Sequence, residues 1–163
     1  MRRCMSSKAE DRAALYRLAP RGPDLAPVAD LWIASWQATL PAIDFSARRE
    51  WFFTYVAEIE RRGGIMLCAS DPQGALSGFI LLDPANAALE QIAIAPALFG
   101  SGLGVLLLEA AKERCRKGLS LSVNVDNPRA VRFYEKHGFR QISEGVNPHS
   151  GLATLHMRWT GVE

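Results

Sequence analysis

The chain has 163 residues, 48% of them apolar, and its 19 basic and 17 acidic side chains leave a net charge of +2. That length suits one domain with one sizeable core, and so balanced a charge predicts no nucleic-acid partner and no membrane-surface partner. No apolar run approaches the roughly 20 residues of a membrane span, and Cys4, Cys68 and Cys115, widely spaced and in no Cys-x-x-Cys pair, argue for a reducing cytoplasm over a disulfide scaffold or metal site.

Residues 1–11 are polar and expected to be disordered, which leaves 12–163 as the single domain. Residues 13–19 read as a first strand, broken by Pro20 and Gly22. From Asp24 the apolar positions Leu25, Val28, Leu31, Trp32 and Trp36 follow a helical period that Pro41 stops. A second helix is predicted over 46–62, with Trp51, Phe52, Tyr55, Val56 and Ile59 facing the core and Gly63-Gly64 ending it. Strands at 65–69, 75–82 and 87–95 follow, joined by turn signals short enough to make the pairings antiparallel. A helix over 102–117 crosses to a strictly alternating strand at 119–125, which the crossover makes parallel to the strand before it. A helix at 128–137 and strands at 139–143 and 152–159 complete the chain. The order is β-α-α-β-β-β-α-β-α-β-β, an α+β fold with a mixed sheet of about seven strands and about four helices.

The most informative stretch is Gln91 to Leu108. The apolar run Ile92-Ala93-Ile94 ends at Pro96, and then Gly100, Gly102 and Gly104 alternate with Ser101 and Leu103 before a helical pattern begins. A helix N-terminus presents unpaired backbone N–H groups and the positive end of the helix dipole. Glycines without a Cβ let a phosphate come close to those donors, so residues 99–105 read as a pyrophosphate site. The Gly-Lys-Ser/Thr of a P-loop is missing. A dinucleotide fingerprint would want a glycine where Val105 stands, and it would want strict β-α alternation ahead of the turn, which residues 63–95 deny.

This segment resembles the coenzyme A turn of the GNAT acetyltransferase superfamily, Gln/Arg-x-x-Gly-x-Gly/Ala after an apolar strand and a proline. Phe99-Gly100-Ser101-Gly102-Leu103-Gly104 matches both small positions and departs at the first, where Phe99 replaces Gln or Arg. A second segment, Asn127-Pro128-Arg129-Ala130 through Tyr134 to Gly138-Phe139, is similar to the family's N-x-x-A-x-x-x-Y-x-x-x-G-F signature with every landmark in place. Its local chemistry agrees: Asn127 suits the N-cap, Pro128 the first helical position and Gly138 the residue that ends the helix.

The resemblance implies transfer of an acetyl group from acetyl coenzyme A, without a metal, to the amine of a small molecule or peptide in a ternary complex. Ile92, Ala93 and Ile94 would lie along the coenzyme's pantetheine arm, on a strand whose bulge splays it from the next and frees a backbone N–H near Ile92 for the thioester carbonyl. Phe99, Gly100, Ser101, Gly102, Leu103, Gly104 and Val105 would hold the pyrophosphate, and Asn127 would bind the coenzyme arm. Tyr134 matches the tyrosine that protonates the leaving thiolate, a role suited to a phenol that stays protonated at neutral pH. Glu90, two residues before Ile92, is the expected general base, and a solvent-facing strand glutamate is the competing reading. The acceptor would lie between the junction of the first two helices and the 145–151 loop, with Trp36 and His149 facing it. His156 lies in an alternating strand whose pattern leaves its face open. GNAT domains often pair as homodimers. A coenzyme A-binding sensor without transferase activity is the alternative function.

Overall fold

The structure, a computed structural model, describes residues 15–162. The stretch 1–11 expected to be disordered, Cys4, and the first two residues of the expected first strand lie outside these described residues. The elements are β1 (Arg17–Pro20), α1 (Ala26–Thr39), α2 (Arg49–Arg61), β2 (Ile65–Ser70), β3 (Leu76–Asp83), β4 (Ala88–Ile94), α3 (Leu103–Arg114), β5 (Leu119–Asn124), α4 (Pro128–Lys136), β6 (Arg140–Val146) and β7 (Ala153–Trp159). The predicted order, seven strands and four helices, is the observed one. Two boundaries differ in ways that matter locally. Pro20 is the last residue of β1, where an edge strand tolerates a missing N–H, and β6 runs on to Val146 as the opposite edge of the sheet.

All seven strands form one sheet in the order β1-β2-β3-β4-β5-β7-β6. Among the described residues the only parallel contact is between β4 and β5, where α3 makes the crossover, and every other pairing is antiparallel. β3, the third strand in that order, is buried on both faces. Phe79 and Leu81 pack with α1 and α2, against Val28, Trp32, Phe52 and Val56. Ile80 and Leu82 pack with α3 and α4, against Leu103, Leu107, Leu121, Tyr134 and Phe139. This is the period-two alternation of a strand with apolar cover on each side. β4 and α3 both crowd Gly78: a Cβ there would stand 2.9 Å from the Ala93 carbonyl oxygen of β4 and 3.1 Å from Leu107 Cδ1 of α3.

The two halves of the sheet are covered unequally. The core under α1 and α2 draws strand residues from β2, β3 and β4 and none from β5, β6 or β7. Among the described residues, no helix packs on that side of the second half of the sheet, which forms an open shelf. At its inner border the parallel pairing of β4 with β5 is confined to Ala88 opposite Ser120, with Ser120 N–H donating to Ala87 O at 2.8 Å. Beyond it the strands part. The cause lies on the other edge of β4. Leu81 pairs with Gln91 while Leu82 pairs with Leu89, so Glu90 is an extra residue, a β-bulge that bends and twists its strand.

Candidate active site

Three groups of residues meet around the split between β4 and β5. The first is the glycine turn. After Ile94 the chain makes a short 3₁₀ turn at Pro96–Leu98, then passes Gly100 at φ 78° and Gly102 at φ 92°, a region in which L side chains are disfavoured. Gly102 caps α3 in that left-handed conformation, and Ser101 Oγ accepts a 3.3 Å hydrogen bond from Leu103 N–H. The first intrahelical bond runs from Leu106 N–H to Gly102 O at 3.3 Å, so the N–H groups of Gly104 and Val105 have no backbone partner among the described residues. Gly104 has a second duty: a Cβ there would stand 3.2 Å from Ile94 Cδ1 and 3.5 Å from Phe133 Cζ, and its absence lets α3 close on β4 and α4. Phe99 and Val105 are exposed beside the turn.

The second group comes from α4. Asn127 Oδ1 accepts from Ala130 N–H at 3.2 Å, which makes Asn127 the N-cap as its position predicted and leaves its amide N–H₂ available as a donor. The helix ends with Gly138 N–H on Glu135 O at 3.1 Å and Phe139 N–H on Tyr134 O at 3.0 Å, a Schellman pair that requires the φ of 91° at Gly138. This cap presses the Tyr134 and Phe139 rings together at 5.6 Å and seats Tyr134 on the α3 side of the sheet. Burial drives the Tyr134 phenol well above its ordinary pKa, so it is protonated throughout the working range.

The third group lies on the shelf side. The bulge turns both Glu90 and Gln91 toward the aromatic helices: Tyr55 hydroxyl donates to Glu90 Oε2 at 2.7 Å and Trp32 Nε1–H donates to Gln91 Oε1 at 3.2 Å. Burial first, and the Glu90 charge beside it, push the Tyr55 phenol far up as well. Tyr55 stacks on Trp51 at 4.8 Å, and Trp51 meets the His149 ring at 4.8 Å, so the β6–β7 loop touches α2. Asn147 Oδ1 shapes that loop by accepting from the N–H groups of His149 and Ser150 at 2.8 and 3.2 Å. Glu90 also lines a cavity of about 430 Å³ over the split, together with Ser120, Ser122, Ser143 and His156. Ser122 Oγ lies 2.7 Å from His156 Nδ1.

Glu90 and His149 thus fall in one neighbourhood on the α2 side of the split, while Tyr134 stands on the other face and Ile92 and Ile94 border α3. Trp36 stacks instead on Phe45 at 5.7 Å within the α1–α2 core, and it is Trp51 that meets His149. The bulge falls at Glu90, two residues before Ile92. Tyr55, Gln91 and Ser122 are additions that the linear pattern does not single out as site residues, and His156, whose face that pattern leaves open, joins them. Tyr55 was assigned only to a core-facing stripe, and the open face of β7 was undecided until the cover of the sheet was known.

These elements suit coenzyme A. A strand edge without a partner beyond Ala88 could pair with a pantetheine arm, and unpaired N–H groups beside positive-φ glycines could receive a pyrophosphate.

The model of the acetyltransferase (GNAT) family matches residues 25–139. No curated protein matches this sequence significantly. Among solved structures, apo YjaB from Escherichia coli superposes with a TM-score of 0.70 at 22% identity, covering 91% of this chain and 99% of that one. The PaiA N-acetyltransferase from Thermoplasma acidophilum, in complex with coenzyme A, gives 0.74 at 18% identity, covering 89% and 98%. Spermidine N-acetyltransferase from Vibrio cholerae, in complex with coenzyme A and spermine, gives 0.66 at 23% identity, covering 89% and 95%. These likenesses bear on the fold, and the family match extends over both the glycine turn and the Asn127–Phe139 signature: the chain belongs to the GNAT acetyltransferase family.

Proposed function

We propose that this protein is an N-acetyltransferase that moves acetyl from acetyl coenzyme A to the primary amine of a small molecule or peptide by direct attack. The observation that carries the reading is the split at Glu90, which leaves a carboxylate and an unpaired edge on the strand that leads into the glycine turn. Acetyl coenzyme A, when bound, supplies the acetyl group as a thioester.

The chain's own residues divide the remaining work. The N–H groups at the start of α3 receive the pyrophosphate, and the open edge of β4 at Ile92, Ala93 and Ile94 aligns the arm. Asn127 donates to the arm through the amide that its cap leaves free. Glu90 draws in the acceptor ammonium and takes its proton, directly or through one water, so that a lone pair is available for attack. Tyr134, held protonated by burial, donates its hydroxyl hydrogen to the departing sulfur.

Among the described residues Glu90 is the only carboxylate lining the cavity, which favours an acceptor presenting one ammonium over a polyamine. Trp51 and His149 form the wall against which the body of the acceptor rests, a place the linear reading gave to Trp36. The thiols of Cys68 and Cys115, both unpaired, suit a reducing cytoplasm.

Calorimetric titration with acetyl coenzyme A, followed by a free-thiol assay over an amine panel, tests the reading. Binding with amine-dependent thiol release is expected. Binding without release across the panel would favour the coenzyme-sensing alternative, and no binding would refute both.

A further inference from the structure

The glycine turn carries Phe99 where its family pattern has Gln or Arg, so the turn lacks a polar side chain for the pyrophosphate. The fold brings a cation to that same place from a different element. The Arg129 guanidinium carbon lies 5.6 Å from the centroid of the Phe99 ring. A Cβ at Gly100 would stand 3.6 Å from Arg129 Nη2, so one end of the guanidinium reaches over the turn itself. Arg129 is exposed, and among the described residues it makes no salt bridge.

Its position on its own helix is unfavourable. Asn127 is the N-cap and Pro128 the first residue of α4, so Arg129 is in the first turn. A cation there opposes the positive end of the helix dipole. Nothing in the packing of α4 repays that placement, because the buried residue of the helix is Tyr134. An anion seated between the start of α3 and the start of α4 would repay it. A guanidinium whose face rests on an aromatic ring keeps the N–H donors of its edge for a bidentate phosphate contact, which a lysine cannot reproduce.

We propose that Arg129 is the cationic contact for the coenzyme pyrophosphate in this protein, held over the turn by the Phe99 ring. On this view Phe99 is the platform for a cation supplied by α4 and does not mark a degraded turn. The inference rests on the coenzyme reading above, and the experiment separates the two.

The dissociation constants of acetyl coenzyme A and of its 3′-dephospho form are measured by calorimetry for the wild type, Arg129→Gln, Arg129→Lys and the double variant Phe99→Arg/Arg129→Gln. Loss of charge-assisted hydrogen bonds predicts that Arg129→Gln binds both ligands about 10- to 100-fold more weakly. Arg129→Lys is expected between the two, and the double variant recovers most of the affinity by restoring a cation at the turn. Wild-type binding that Arg129→Gln changes by less than about twofold, below the tenfold that one such bond predicts, overturns the proposal while leaving the coenzyme reading intact. A loss seen with acetyl coenzyme A and absent with the dephospho form assigns Arg129 to the 3′-phosphate and overturns the pyrophosphate contact. Failure of the wild type to bind either ligand removes the coenzyme reading and this inference with it. Arg129 is exposed and opposes the helix dipole, so a melting temperature of the free protein that is unchanged or slightly raised on removal of its charge is the expected control.

Discussion

The Tyr55 hydroxyl donates a 2.7 Å hydrogen bond to Glu90 Oε2, joining the middle of α2 to the bulge of β4. The bond depends on the bulge, because an unbroken alternation would turn Glu90 and Gln91 to opposite faces of the sheet. Tyr55 remains a donor at any ordinary pH, since burial and the adjacent carboxylate both oppose its ionisation. Tyr55→Phe keeps the ring stack on Trp51 and removes only the tether. The expected result is a fall of about tenfold in kcat/KM for the amine, equivalent to roughly 1.4 kcal/mol. Coenzyme affinity should not change, and steady-state kinetics paired with calorimetry reads both quantities.

Glu90→Gln keeps the shape of the bulge and removes the carboxylate. If Glu90 takes the ammonium proton, kcat falls by about 10²-fold or more, the usual contribution of a general base, and KM for the amine rises. The dissociation constant of acetyl coenzyme A is the control. A variant with unchanged kcat would transfer the role to water or to the Ser122–His156 pair in the same cavity.

Tyr134→Phe leaves the core contact with Phe139 in place, so the variant is expected to fold normally. If Tyr134 is the donor to the departing thiolate, its loss should lower kcat by about 10²-fold with little change in coenzyme affinity. Because burial raises the Tyr134 pKa, the wild-type rate should show no alkaline fall from this group below about pH 10, its ordinary value. Rates measured from neutral pH upward check both statements.

Gly102→Trp places a large side chain at a φ of 92° in the mouth of the turn. The backbone strain costs about 1–2 kcal/mol, and the indole blocks the approach to the α3 N–H groups. Coenzyme binding should be lost while circular dichroism shows the helices retained. Retained affinity would move the pyrophosphate elsewhere.

His137 makes stability depend on pH. Burial lowers its pKa and the Lys112 ammonium adds to the effect; Lys112 Nζ also donates to His137 O at 2.7 Å, supplying the cation at the end of α4. The folded chain therefore binds a proton at His137 less readily than the unfolded chain does. Below the unfolded value of about 6.5 the unfolded state holds the extra proton, so stability falls as pH drops through that region. Thermal melts at about pH 7.5 and 5, on either side of that value, should show a smaller decrease for His137→Asn than for the wild type.

Much of this protein is local and was legible in the chain. Helical and strand periods, the proline stops, the Asn127 cap and the glycine at 138 act within a few residues, so the element order and the α+β class followed from them. The glycine turn was equally local, because positive φ and a helix start are properties of adjacent residues. The site's composition was not local. Phe99 reads as a defect until α4 is seen to carry Arg129 across it. Tyr55 belongs to a core stripe until the bulge turns Glu90 toward it, and His156 has no face until the α1–α2 layer stops short of β5. Trp36 near the end of α1 and Trp51 near the start of α2 flank the same junction, and only the packing of α2 against the β6–β7 loop brings Trp51 to His149. Spacing along a chain sets which side of its own element a residue takes. What stands opposite is decided by the twist of the sheet, a one-residue bulge and the extent of the helical cover, and those exist only once distant segments have packed together.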